Sequence, residues 1–271
     1  MKKTLRHLAD RVTLQLLKRP LVDKMVGFLS YQRQRATRRR LEPALRKAGS
    51  YGDTVIQGPF AGLRYPPLEH WASCRFQKII GTYEHELHDL VHRLAATENY
   101  DLIVNVGAAE GFYSVGLARL FPAARIITFE AKPDRALFLD KLASLNGVAE
   151  RMENHGRCSA ADLAALNPAG RVLVWMDIDL GEREVLDPEK VPWLSRADIL
   201  VELHDCMEAG VSSLIRKRFE KSHLIEQITT AGLRYERYPV LRNLPFQAID
   251  SLVGEDRSGL QDWFFMKPAH V

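Results

Sequence analysis

Four short apolar runs punctuate the chain after residue 100, and their spacing is the strongest constraint on what it can fold into. DLIVNV (101–106), ARIITFE (124–130), RVLVWMDID (171–179) and ADILVELHD (197–205) have the continuous apolar character of strands buried on both faces. Helical segments fill the intervals. This alternation predicts a doubly wound, mostly parallel α/β sheet with helices on both faces, whose ligands sit beyond the carboxyl ends of the strands. Residues 233–238 and 263–266 are expected to complete it as partly antiparallel strands, and VSSLIRKRFEKSHLIEQI (211–228) reads as helix. At 271 residues, 46% of them apolar, the chain has material for one full α/β domain and an appendage.

The appendage is N-terminal and basic. Residues 1–50 hold fourteen Lys and Arg against three acids, a charge of +11, leaving 24 against 31, or −7, for the remainder. They read as helix interrupted at Pro20, with the run QRQRATRRR (32–40) suited to nucleic acid, to an anionic membrane surface, or to a solvated helix face. Residues 51–70 read as a β-hairpin linker around Gly58-Pro59, and 71–271 as the main domain. No apolar stretch is long enough to cross a bilayer, and the positively charged start lacks an apolar core for a signal peptide. Three scattered cysteines suit a reducing compartment. A cytoplasmic protein, peripheral at the membrane if the arm binds lipid, is expected.

The first strand runs into Asn105-Val-Gly107-Ala-Ala109-Glu110-Gly111 and then a helix. Gly107 suits a tight turn, and Gly111 a close approach at a helix start, where free N–H groups favour negative charge. Glu130 closes the second strand 23 residues after Gly107, an offset at which a carboxylate can accept hydrogen bonds from both ribose hydroxyls of an adenosine. No GK[ST] follows, which excludes a triphosphate loop. A dinucleotide is disfavoured because Ala109 and Phe112 occupy the second and third glycine positions of G-x-G-x-x-G.

Taken with NVGAAEGFYS (105–114), TFEAKP (128–133), Asn146-Gly147, WMDIDLGEREVL (175–186) and LVELHD (200–205), the chain resembles the class I S-adenosylmethionine-dependent methyltransferases, most closely the FkbM-like branch. The resemblance covers roughly residues 80–205 and implies a seven-stranded, Rossmann-like sheet behind the basic helical extension. It implies that Gly107, Ala109, Glu110 and Gly111 form the cofactor turn, that Glu130 clamps the ribose, and that Tyr83, Glu84 and Asp177 border the methionine end. Asn105 stands where the family has an acid; it keeps a hydrogen-bond acceptor for the cofactor's amino group without a charge, which predicts weaker binding. The family's DxEGxE is replaced by Asp177-Ile-Asp179-Leu-Gly181-Glu182.

Methyl transfer from a sulfonium is an in-line displacement that also removes a proton when the acceptor is a hydroxyl. Asp177, Asp179, His204 and Asp205 all fall at carboxyl ends of expected strands. Either Asp179 or His204 is a general base, or Asp177 and Asp205, joined by Asp179, hold Mg2+ in a spacing similar to that of metal-dependent small-molecule O-methyltransferases. Capping of the following helices is the third use of such acids. HDLVH (88–92) imitates a zinc motif with Asp in place of its Glu, and no third ligand accompanies it. The expected activity is methyl transfer from S-adenosyl-L-methionine to oxygen of a small-molecule or sugar-like acceptor. A nicotinamide oxidoreductase and a non-catalytic adaptor are the alternatives.

Overall fold

The computed structural model describes residues 52–66, 74–178, 180–242, 244, 246–255, 257 and 261–269, with isolated positions between 25 and 40. Asp179 and most of the basic arm lie outside the described residues. The chain divides into two compact units, Met1–Ser50 with Asn243–Asp256, and Tyr51–Arg242 with Arg257–Val271.

The second unit carries the sheet. Its strands are β1 (Leu102–Val106), β2 (Arg125–Phe129), β3 (Met152–His155), β4 (Val172–Met176), β5 (Asp198–Leu203), β6 (His223–Thr229) and β7 (Asp262–Pro268). They are ordered β3-β2-β1-β4-β5-β7-β6, with β7 antiparallel to both neighbours and the other pairs parallel. Central strands β1, β4 and β5 are buried along their whole lengths, as their unbroken apolar runs require, and Val104 lies level with Ile127 on one side and Val174 on the other. Val104, Val174, Val201, Trp193, Phe219 and Phe264 belong to one core cluster. This seven-stranded, mostly parallel α/β arrangement is of the doubly wound, Rossmann-like kind.

The helices are α1 (Arg75–Ile80), α2 (His88–Thr97), α3 (Phe112–Leu120), α4 (Pro133–Leu145), α5 (Ala160–Leu166), the single turn α6 (Glu182–Val185) and α7 (Val211–Phe219). Their starts are written locally: Pro133 occupies the first turn of α4, and Ser159 with Asp162 forms a reciprocal capping box on α5. Residues 54–64 fold back as a short hairpin closed by a single antiparallel bridge, Thr54 to Arg64, with the Val55 amide donating to the Leu63 carbonyl at 2.8 Å. The Asn146 side chain joins this hairpin to α4 by donating to the Arg64 carbonyl at 2.7 Å. In the first unit, residues Phe246–Val253 form α8.

Two expectations fail at the sheet margin. The segment read as one helix over 211–228 stops at Phe219, and β6 begins at His223. Pairing of Ile225 with Met266 and Ile228 with Trp263 outweighs the helical pattern. Residues 233–238, expected as a strand, contain a single 3-10 turn over Tyr235–Arg237.

Candidate functional site

Two groups of residues gather at the carboxyl ends of the central strands. The first is the bend between β1 and α3. Gly107 has φ +86°, and a Cβ there would lie deep inside the carbonyl of Asp177, so the bend and the end of β4 touch backbone to backbone. Gly111 has φ +97°, and its missing side chain lets Leu139 of α4 approach, a Cβ falling 2.8 Å from Leu139 Cγ. Ala109 also takes a left-handed conformation, φ 47°, which costs an L-residue about 1–2 kcal/mol. Glu130 is 8% exposed and offsets that cost: one carboxylate oxygen accepts from the Ala109 amide at 2.9 Å, the other from Lys132 N at 2.8 Å.

The neighbouring bend residues turn inward. The Asn105 amide donates to the Trp175 carbonyl at 3.1 Å while its oxygen accepts from Ser114 at 2.5 Å, joining β1, β4 and α3. Both ends of this amide are therefore engaged within the protein at the position expected to receive the cofactor's amino group. Glu110 forms a buried ion pair with Lys78 of α1, whose ammonium lies 4.5 Å from the Tyr83 ring centroid.

The second group surrounds the end of β4. His204, directly after β5 and 1% exposed, has Nδ1 at 2.6 Å from Oε1 of the fully buried Glu182. Its Nε2 faces Asp177 Oδ1 and Glu202 Oε2, each 3.8 Å away. Glu202 lies on β5; burial first, then the charges of Asp177 and Glu84, push its carboxyl well above the ordinary carboxylate range, with Arg257 opposing. Asp177 is the open member, its side chain 41% exposed. Glu84, at φ 44°, accepts from the Tyr113 hydroxyl, and the Tyr113 ring lies tilted by 31° against Trp175, centroids 4.3 Å apart. Burial first, and then the charge of Glu84, raises the Tyr83 phenol well above its ordinary value.

Of the residues singled out in the sequence, the structure thus brings Tyr83, Glu84, Asp177 and His204 into one electrostatic neighbourhood and sets Glu130 against the bend. Asp205 departs from this pattern. Its two oxygens accept from the amides of Gly210 and Ser212, both at 3.0 Å, because they are the nearest acceptors for the unpaired N–H groups opening α7. The expected Asp177–Asp205 metal pair does not form. The donors that do converge, Asp177, Glu202 and His204, lie within 4.8 Å of one another. They include an imidazole, whereas Mg2+ favours an all-oxygen shell, so the residues present do not fit Mg2+. HDLVH makes no zinc site: among the described residues neither His88 nor His92 belongs to a cluster of metal-type donors, and His88 Nε2 lies 3.1 Å from the Tyr83 carbonyl.

Sequence reasoning missed Glu182 and Glu202. Glu202 carries a signal, being a carboxylate inside an otherwise apolar strand, which is tolerated only where something compensates it. Glu182 carries none, since its burial depends on the path of residues 180–181, with Leu180 at φ 72°.

No family model and no curated protein matches the chain. Solved structures similar to it include the O-methyltransferase TomG from Streptomyces achromogenes, involved in tomaymycin synthesis and in complex with SAM. It is 20% identical, with 67% of this chain and 78% of that one covered and a TM-score of 0.43. Cofactor-bound Rv0187 from MTB is 18% identical over 64% of this chain and 76% of that one, with a TM-score of 0.44. The precorrin-6y C5,15-methyltransferase from Geobacter metallireducens is 13% identical over 74% of this chain and 91% of that one, with a TM-score of 0.44.

Proposed function

We propose that this chain is an S-adenosylmethionine-dependent methyltransferase of FkbM-like type, acting on an oxygen of a small or sugar-like acceptor. The observation that carries the proposal is Glu130, a buried carboxylate closing β2 and aimed across the glycine bend at the Ala109 amide. Each carboxylate oxygen has a second lone pair, so Glu130 can brace the bend and still accept the two ribose hydroxyls. The Gly107–Asp177 backbone contact then sets the methionine end beside the second group of residues. Sheet order supports the choice of cofactor, because β7 is inserted antiparallel between β5 and β6, whereas dinucleotide-binding sheets commonly run 3-2-1-4-5-6.

On the acceptor side, Asp177 is the exposed carboxylate that an incoming hydroxyl meets, and the proton is lost to the cluster it belongs to. His204 stands behind it, oriented by Glu182. The neighbouring Asp179 is a second candidate base. The substituents aligned here contribute by fixing donor and acceptor in line, the largest single effect available to a displacement that forms no covalent enzyme intermediate.

Calorimetric titration of the full chain with S-adenosylhomocysteine and, separately, NAD tests this reading. Saturable binding of S-adenosylhomocysteine, weakened at least tenfold in Glu130→Ala, is the expected result. Saturable binding of NAD alone would overturn it. Transfer of labelled methyl groups to a lysate, recovered after acid hydrolysis as O-methylated neutral sugars, identifies oxygen as the acceptor; label confined to amines would sink that part.

A further inference from the structure

We propose that Asp177, Glu202 and His204 bind a first-row transition-metal dication, of the Mn2+, Co2+ or Zn2+ kind, with Glu182 holding the imidazole in its ligating orientation. The donors come from the carboxyl ends of two adjacent, fully buried central strands. His204 Nε2 is 3.8 Å from an oxygen of each carboxylate. Donors around an octahedral ion with bonds near 2.1 Å sit about 3 Å apart, so side-chain shifts of about 1 Å bring each carboxyl oxygen to ligating distance from Nε2.

The observation that turns three proximate groups into a site lies outside them. Fully buried Glu182 meets Nδ1 at 2.6 Å, which fixes the ring so that Nε2 points at the carboxylates. A carboxylate on the far nitrogen of a ligating histidine is the recurrent support of metal-bound imidazole. Charge points the same way: Glu84, Asp177, Glu182 and Glu202 gather at one strand end, while Arg257, the cation acting on Glu202, is also hydrogen-bonded to Glu86 at 2.5 Å. The imidazole selects against Mg2+ and the two carboxylates against a purely soft metal. Asp177 is exposed and His204 is not, so the remaining coordination positions face the side where the acceptor is expected. There a Lewis acid would lower the pKa of a bound hydroxyl. Only that last consequence rests on the methyl-transfer reading; ion binding does not.

The test uses full-length protein stripped with a chelator and then dialysed. Mn2+ binding is followed by loss of the free-ion electron paramagnetic resonance signal, and Co2+ binding by its visible absorption. One equivalent per chain is expected, at least tenfold tighter than Mg2+ measured by competition. His204→Ala and the isosteric Glu202→Gln should each weaken it tenfold or more, Glu182→Gln by about tenfold, and Asp205→Asn should leave it unchanged. Circular dichroism and S-adenosylhomocysteine titration of each variant separate loss of the ion site from loss of the fold or cofactor. Absence of a stoichiometric site, equal affinity for Mg2+, or binding indifferent to both His204→Ala and Glu202→Gln would overturn the proposal. Ion binding without S-adenosylhomocysteine binding would instead leave it standing and remove the methyl-transfer reading.

Discussion

The two ends of the candidate site are held by different kinds of force. At the bend, Glu130 and Asn105 spend their polar atoms on nearby backbone and side-chain partners, at distances between 2.5 and 3.1 Å. Shape dominates there, and three positive-φ residues set it. At the end of β4 the contacts are side chain to side chain, between carboxyl groups and an imidazole gathered from α6, from β5 and from the residues just after β4 and β5. A bend held by backbone tolerates no added atom, whereas a cluster held by charge tolerates isosteric change but responds to ions. The comparison predicts that variants of the first kind act on stability and cofactor affinity, and those of the second on proton and ion binding.

Gly107→Ala should have the largest effect. Its Cβ would overlap the Asp177 carbonyl, and φ +86° is unfavourable for any L-residue, so neither relaxation nor a rotamer change relieves it. A loss of about 3 kcal/mol or more in denaturant unfolding is expected; a loss below 1 kcal/mol would show that the bend yields. Glu130→Gln comes next. It keeps one acceptor oxygen but sets an N–H2 against a backbone donor, and a tenfold to hundredfold fall in S-adenosylhomocysteine affinity is expected by calorimetry. Glu202→Gln, in contrast, should leave that affinity within about twofold. If the two variants behave alike, the two regions are one.

The difference between the regions is also a difference in what could be read beforehand. The strands β1, β2, β4 and β5, Gly107 and Glu130 are local patterns, apolar runs and a turn residue at a fixed offset, and they stand where those patterns place them. Edge strand β3 alternates between partly and fully exposed residues, and β6 is partly or fully exposed along its length after the buried His223, so neither shows the continuous apolar run that announces a central strand. His204 and Asp205 are adjacent in sequence and look equivalent, yet the imidazole is buried against Glu182 and the carboxylate turns to the next helix. Which of two neighbours faces a site depends on how the chain leaves β5, and composition does not encode that.

A pH experiment sharpens the comparison at Tyr83 and Glu84. His88 anchors this segment through the Tyr83 carbonyl. Burial lowers its imidazole from 6.5 to about 4, against the raising effects of the Tyr83 carbonyl and Asp89, with His85 and His92 adding to the lowering. The unfolded chain therefore takes up the proton more readily than the folded one between pH 6.5 and 4. Its contribution to stability is complete above 6.5 and is lost on descending to about 4. A drop of about 2 kcal/mol attributable to this group is expected across that window, and His88→Gln, which retains a donor, should flatten the melting-temperature profile there. An unchanged acid slope in the variant would mean that His88 is not the group responsible.

The smallest effect tests the assignment of Asp205 to neither region. With both oxygens on the amides of Gly210 and Ser212, its work is to satisfy the opening turn of α7. Asp205→Ala should then cost about 1 kcal/mol, the usual worth of such a cap, and Asp205→Asn a few tenths, since Asn caps nearly as well. Methyl transfer and ion affinity should follow wild type in the Asn variant, because removing this charge leaves Asp177, Glu202 and His204 in place. A large loss of activity or ion binding in Asp205→Asn with unchanged unfolding would return Asp205 to the site, and would mean that the loop after β5 rearranges when the acceptor or the ion arrives.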